Sequence, residues 1–291
     1  MTSPPAPDSL LHLSLQIESL LVARNPRGMQ TLQRALKPGY YARAVELIER
    51  AFAAHDRPCI LVGTGFPVAG TFETDGPVGA IALWQTLQTL GAEAWLVCGE
   101  PLASALQTNY PVCRLSCGDR HDAEQEAAAL LQQHPPQLVI SIEQPGLARD
   151  GRYYNMRGID ISAGVAPFDP VMRQATCPTI AIGDGGNEIG MGLIEQAVSA
   201  LAITPATTGC DELLLADVSN WAAHGLIALL GWQRQQDLLA AVDPLAILHY
   251  LSQRGSVDGV THRNELTEDG LDAAVGLQLI SDLRQLCHPD G

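Results

Sequence analysis

Short apolar runs alternate with helical patterns along most of the chain, and this alternation restricts the fold more than any other feature. The runs are Cys59 to Val62, Ala94 to Cys98, Val112 to Leu115, Leu138 to Ile142, Thr179 to Ile182 and Leu213 to Ala216. Each is too short for a core helix. Each is also nearly continuous in its apolarity, as a strand buried on both faces requires. Helical patterns follow Pro77, span Ala103 to Gln107 and Ala123 to Gln133, and recur at Trp221 to Leu230 and Leu271 to Leu286. Strands separated by helices of this length predict an α/β fold of Rossmann-like three-layer type, with a mainly parallel sheet and helices on both faces. Ligands of such sheets bind at the carboxyl ends of the strands.

Two helices precede the sheet. Leu10, Leu13, Ile17, Leu20 and Leu21 recur at helical spacing behind the candidate caps Asp8 and Ser9, and a second pattern runs from Tyr40 to His55. Residues 1–56 thus read as the helical part, and residues 57–291 as the sheet core and C-terminal helices, of one domain.

Charge narrows the partners. The 17 basic residues against 32 acidic ones leave a formal net charge of −15, which disfavours nucleic acid and anionic membranes. A small-molecule carboxylate is expected instead, and a homo-oligomer is compatible with the composition. Lys37 is the only lysine, so Schiff-base chemistry is disfavoured and a carboxylate clamp has to use arginine. Seven scattered cysteines fit reduced thiols better than a disulfide framework or a zinc site. The first residues, MTSPPAPDSL, lack a basic and apolar leader, and no apolar stretch reaches membrane-span length. A cytoplasmic location is expected.

Three segments could carry chemistry. Gly183 to Gly192, GDGGNEIGMG, follows an apolar strand and reads as opening a helix. Its glycines permit a sharp turn and close ligand approach to free N–H groups, and Asp184, Asn187 and Glu188 offer oxygen ligands to a hard cation. The phosphate-loop lysine is absent, and the loop is not the first strand-to-helix turn, which argues against a nucleotide site. Glu73 and Asp75 stand before the helix at Pro77 and suit a base or metal ligands, although Asp75 equally suits an N-cap. Glu143 ends a strand. In the polar stretch beyond it, Arg152 and Arg157 are guanidinium candidates for a substrate carboxylate, with Asn155 and Asp160 as orienting partners. An exposed loop with an internal Arg–Asp pair is the alternative there.

Glu73-Thr74-Asp75-Gly76-Pro77, Tyr154-Asn155-Met156-Arg157-Gly158, Gly183 to Gly192 and Val257-Asp258-Gly259-Val260-Thr261 together resemble the C-terminal domain family of D-glutamate cyclase, and the Arg24 to Gly28 loop also fits. The resemblance implies a lyase that converts D-glutamate to 5-oxo-D-proline with loss of water, assisted by a divalent cation, Mg2+ or Mn2+. On this reading Glu73, Asp75 and Glu188 are expected in catalysis. Asn155, Arg157, Gly185, Gly186 and Asn187 are expected at the substrate, and Asp184, Glu143 and Asp160 at the metal. The alternatives are a metal-dependent hydrolase or hydro-lyase acting on another small carboxylate, and a non-catalytic sensor of an acidic metabolite.

Overall fold

The computed structural model describes residues 7–118 and 120–288. Six parallel strands form the central sheet: β1 (Cys59–Thr64), β2 (Glu93–Cys98), β3 (Val112–Arg114), β4 (Leu138–Ile142), β5 (Thr179–Gly183) and β6 (Glu212–Leu215). Their order across the sheet is β3-β2-β1-β4-β5-β6. The chain thus moves outward from β1 in one direction and from β4 in the other, and the crevice between these strands is the switch point where such sheets bind ligands.

The longer helices are α1 (Pro7–Leu21), α2 (Tyr40–Ala54), α3 (Pro77–Thr89), α4 (Arg120–Gln133), α5 (Ser219–Gln233), α6 (Pro244–Ser252) and α7 (Ala273–Cys287). α1, α2, α3 and α7 all pack on α5, which is apolar around its whole circumference and buried from Ser219 to Gly231. A helix with no polar face has to lie inside the protein. Glycines set the closest approaches: a Cβ on Gly79 would lie 2.9 Å from that of Ala223, joining α3 to α5. α4 packs with the short helix Asp169–Gln174 in a second layer. There Phe168 occupies the space over Gly63 of β1, 2.6 Å from where a Cβ would stand.

The strands and long helices fall where the alternation of the sequence places them. α1 begins at Pro7, one residue ahead of the expected caps; proline suits a first helical turn. The side chain of Asp8 and residues 1–6 lie outside the described residues. The expected helix after Gly183 to Gly192 is replaced by a 3-10 turn, Met191–Ile194, and a single helical turn, Glu195–Val198. The reason is local. Gly190 and Gly192 both donate their N–H to the carbonyl of Thr208, and a Cβ on Gly192 would lie 2.1 Å from the Thr207 carbonyl oxygen. The chain is therefore held against a neighbouring segment, and two glycines supply little helical propensity to oppose this. Two small antiparallel ribbons, Pro67–Val68 with Thr71–Phe72 and Thr267–Glu268 with Leu271–Asp272, complete the structure. Among the described residues no helix is long and apolar enough to cross a membrane.

Candidate active site

A cavity of about 360 Å³ opens at the carboxyl ends of the central strands. Its wall includes Glu73 from the β1–α3 connection, Glu143 just after β4, Asp184 and Glu188 just after β5, and Asp269 from the second ribbon. Asp75 lies beneath this wall, 1% exposed. The loops that carry these groups are stitched together by isolated bridges, Glu73 to Val257 and Pro145 to Glu188.

Asp75 sits between two helix starts. Its carboxylate accepts the N–H groups of Ser219 (2.9 Å) and Asn220 (2.7 Å) and so caps α5, and its Oδ1 also accepts the N–H of Gly76 (2.9 Å) ahead of α3. Asn220 returns the arrangement: its Oδ1 accepts from Gly76 (2.9 Å) and Gly79 (2.7 Å) at the start of α3. Two helix N-termini, with their partial positive charge, are thereby directed at the acidic cluster. Asn220 Nδ2 also donates to Glu268 (2.7 Å) and to the carbonyl of Thr74 (3.2 Å), which leaves its amide fully used.

Arg27 is the partly buried cation among these acids. It reaches in from the loop after α1 and donates to Asp184 (2.6 Å), Asp269 and the carbonyl of Asp217 (3.1 Å). Asp217 fixes that loop by accepting the N–H groups of Arg24 and Asn25. One guanidinium does not neutralise the group. Burial, then the nearby charges of Asp269 and Asp75, holds the Glu73 carboxyl well above the usual range. Glu143 is raised in the same way by burial, Glu188 and Asp75. Asp184 is raised by burial in spite of Arg27. Asp75 is pushed up to about 6 by burial and Asp269, against the lowering effect of a hydrogen bond with Asp184 and of the α5 N–H groups. Such a cluster retains protons at neutral pH or takes up a cation.

The residues fit a metal. Asp75, Glu143 and Asp184 each offer an oxygen, all within 4.8 Å of one another and all buried. Thr64 Oγ1, at the end of β1, is buried without a hydrogen-bond partner and stands beside Glu143 across Gly76. A wholly oxygen donor set with net negative charge suits a hard divalent cation.

The glycine loop differs from expectation. Its N–H groups are not left free for a ligand anion: Gly186 donates to Glu188 Oε2 at 2.7 Å, and the N–H groups of Gly185 and Glu188 close on the same carboxylate. Glu188 thus fills the anion nest of its own loop, although burial still raises its carboxyl above the ordinary value. Gly185 and Gly186 serve this turn and do not reach the cavity wall. A Cβ on Gly186, where φ is +114°, would lie 2.3 Å from Ile203.

Asn155, Arg157 and Asn187 do reach the wall. Asn187 donates through Nδ2 to the carbonyl of Tyr154 (2.9 Å), while its buried Oδ1 has no partner. Arg157 is exposed at the mouth and its guanidinium makes no ion pair among the described residues. Asp160, expected at the metal, is elsewhere. It lies on the exposed face of the same loop, accepts from Ser162 N–H (2.9 Å) and pairs with Arg152 at 3.4 Å. The bridge between Tyr154 and Asp160 turns that carboxylate away from the buried cluster.

Arg27, Asp269 and His262 are cavity residues that sequence reasoning did not assign. Arg27 and Asp184 are 157 positions apart, and Asp269-Gly270 reads either as a turn or as a segment that reaches a site from the tail of the chain. Backbone strain is the signal that marks Asp269 and His262, and only coordinates reveal it. Ala69, Glu143, His262 and Asp269 all take positive φ, between 48° and 58°, and all line the cavity. Residues bearing a Cβ rarely adopt this conformation, and in folded proteins such strain concentrates at functional sites.

The sequence model of the family described as "D-glutamate cyclase-like, C-terminal" matches residues 17–284. The human protein "D-glutamate cyclase, mitochondrial" is 32% identical over 215 residues, which are 64% of this chain and 34% of that protein. The chain therefore spans about a third of the length of this curated relative. Among solved structures, an exopolyphosphatase-related protein from Bacteroides fragilis gives a TM-score of 0.43 at 10% identity, over 88% of this chain and 62% of that one. An actinorhodin polyketide ketoreductase with NADPH gives 0.29 at 11%, over 80% and 91%. With nearly its whole length matched, this chain belongs to the D-glutamate cyclase-like family, in the part described as C-terminal.

Proposed function

We propose that the cavity cyclises D-glutamate to 5-oxo-D-proline with loss of water, assisted by a divalent cation. The observation that carries this reading is the cavity's polarity: a floor of protonatable carboxyl groups and an unpaired guanidinium, Arg157, at the mouth. Ring closure joins the α-nitrogen to the γ-carboxyl carbon and breaks one γ-carbon–oxygen bond. The ammonium group loses two protons and the departing oxygen gains two, so no net proton is exchanged with solvent. What the reaction needs is a group that accepts a proton at nitrogen and delivers it to oxygen.

Glu73 suits that task. It lines the cavity, and burial among like charges raises its affinity for a proton. Gly259 provides its space, since a Cβ there would lie 2.2 Å from Glu73 Oε2. The unpartnered Oδ1 of Asn187 can accept from the substrate nitrogen and orient it. Arg157 holds the α-carboxylate, the charged group left outside the new ring. Because nucleophile and electrophile belong to one molecule, holding the folded conformer supplies much of the rate. Asp75, Glu143 and Asp184 would hold the cation. When bound, it supplies positive charge that polarises the γ-carboxyl group and offsets the charge that repels a nucleophile.

The test is incubation of the purified chain with D-glutamate and Mg2+ or Mn2+, with 5-oxoproline read by mass spectrometry. Product that depends on Asp184 and Glu73 is expected. Turnover that survives both Asp184→Asn and Glu73→Gln would refute the assignment of the site.

A further inference from the structure

From the mouth of the cavity we infer that His262 is a substrate-binding residue that grips the α-carboxylate opposite Arg157, and that this pair selects α-amino dicarboxylates over their α-amides. The inference rests on the cyclase reading above and extends it to a residue that reading does not use.

His262 lines the same cavity as Arg157 but comes from a different loop. Its imidazole is exposed and makes no hydrogen bond or ion pair among the described residues. The loop itself is rigidly held. Buried Asp258 accepts the N–H groups of Val260 (2.9 Å), Thr261 (2.8 Å) and Gly270 (2.7 Å) and the hydroxyl of Thr267 (2.7 Å), and its carbonyl accepts from His262 N–H at 2.9 Å. The backbone thereby fixes the Cα and Cβ of His262 at the rim of the cavity, and the ring turns about χ1 between its staggered positions, free to meet a ligand.

Two further observations point to a ligand. The backbone of His262 lies at φ +58°, a conformation that glycine adopts without the steric cost a side chain incurs. Glycine would serve the turn at lower steric cost, and histidine is among the side chains that enter this region more readily than most. The charge layout gives the second observation. Apart from His262, the titratable groups of the cavity wall are carboxylates and two arginines, and Arg27 is already engaged by Asp184 and Asp269. Arg157 and His262 are thus the basic side chains of the cavity wall that no carboxylate holds among the described residues. In a glutamate folded for ring closure, the nitrogen and the γ-carboxyl group are drawn together at the acidic floor. The α-carboxylate projects from the ring and meets those two donors.

The experiment compares D-glutamate with D-glutamate α-amide, which has the same reacting groups but an uncharged carboxamide at the mouth. His262→Gly is the informative variant because glycine accepts the native φ, so the loop should fold with a melting temperature no lower than that of the unaltered chain. We expect the KM for D-glutamate to rise about tenfold or more, with kcat changed much less, and the preference for D-glutamate over the amide to fall by a similar factor. His262→Ala, which removes the ring and leaves no donor in its place, should behave likewise. Unchanged KM in both variants, or a rise equal for the two compounds, would overturn the inference. Failure of the cyclase reading shows separately, in the unaltered chain. If that chain binds D-glutamate without cyclising it, the same comparison made by calorimetry decides the role of His262. If it neither binds nor cyclises D-glutamate, both conclusions fall.

Discussion

A carboxyl group surrounded by other carboxyl groups and shielded from water holds its proton more tightly than one in solution, and the residues of this site use that property in different ways. Glu73 faces the cavity with a raised proton affinity, and on the proposed reading it exchanges that proton with substrate. Replacing it by glutamine keeps the shape and removes the exchange. The expected loss in kcat is about 10²- to 10⁴-fold, the usual contribution of a positioned acid or base, with an unchanged circular dichroism spectrum as the control. Arg27 has the opposite role. It lies between Asp184 and Asp269, and removing it leaves buried charges without a partner. Arg27→Ala should therefore cost about 3–5 kcal/mol in denaturant unfolding. Arg27→Lys should recover only part of this, because an ammonium group lacks the planar fork that reaches several oxygens at once. At this scale residue type marked Glu73, Asp184 and Arg157 as candidates, and the fold brings all three to the wall of one cavity. It was silent on Arg27, whose role arises only when the loop after α1 folds across the end of β5. It misdirected at Asp160, which is chemically suitable but turned outward by its own loop.

At the scale of elements, the site depends on α3 and α5 capping one another. Asp75 precedes α3 and caps α5, while Asn220 begins α5 and caps α3. Asn220→Ala would free two N–H groups and strip Glu268 of a donor, so a loss of about 2–3 kcal/mol is expected in urea titration. A cap that served only its own helix would cost about 1 kcal/mol, and a loss that small would contradict the mutual arrangement. Strands and long helices were legible because apolar period and length define them locally. This exchange of caps was not, since Asp75 before Pro77 carries the same local signal whichever helix it serves. The glycine loop shows a related limit. Its glycines do mark a tight turn beside the cavity, but the sequence could not reveal that Glu188 fills the turn's own donors.

For the whole molecule, buried ionisable groups tie stability to pH and to cations. Glu268 is fully buried and its carboxyl is pushed up to about 7, by burial and then by Asp75. Because this folded-state value lies above the ordinary 4.5, its contribution to stability is complete below that value and is lost as pH rises through about 7. His224, buried in α5 with neither ring nitrogen partnered, is lowered from 6.5 to about 4 by burial. Its contribution is complete above 6.5 and is lost as pH falls toward 4. The metal-free protein should thus melt at progressively lower temperature on going from pH 6 to pH 8, and Glu268→Gln should flatten that limb. A divalent cation at about a hundredfold over its Kd should add about 2.7 kcal/mol, and Asp184→Asn should abolish that gain.

The overall architecture followed from the alternation of strands and helices, and the order β3-β2-β1-β4-β5-β6 explains why acids distant in sequence meet at one crevice. The central claim is that this crevice joins the two ends of one D-glutamate molecule and expels an oxygen from its γ-carboxyl group. D-glutamate carrying oxygen-18 at both γ-oxygens tests it most directly. The purified chain, supplied with Mg2+ or Mn2+, should form 5-oxoproline that retains one label, with the other recovered in water. No product, or 5-oxoproline that retains neither label, would contradict the account.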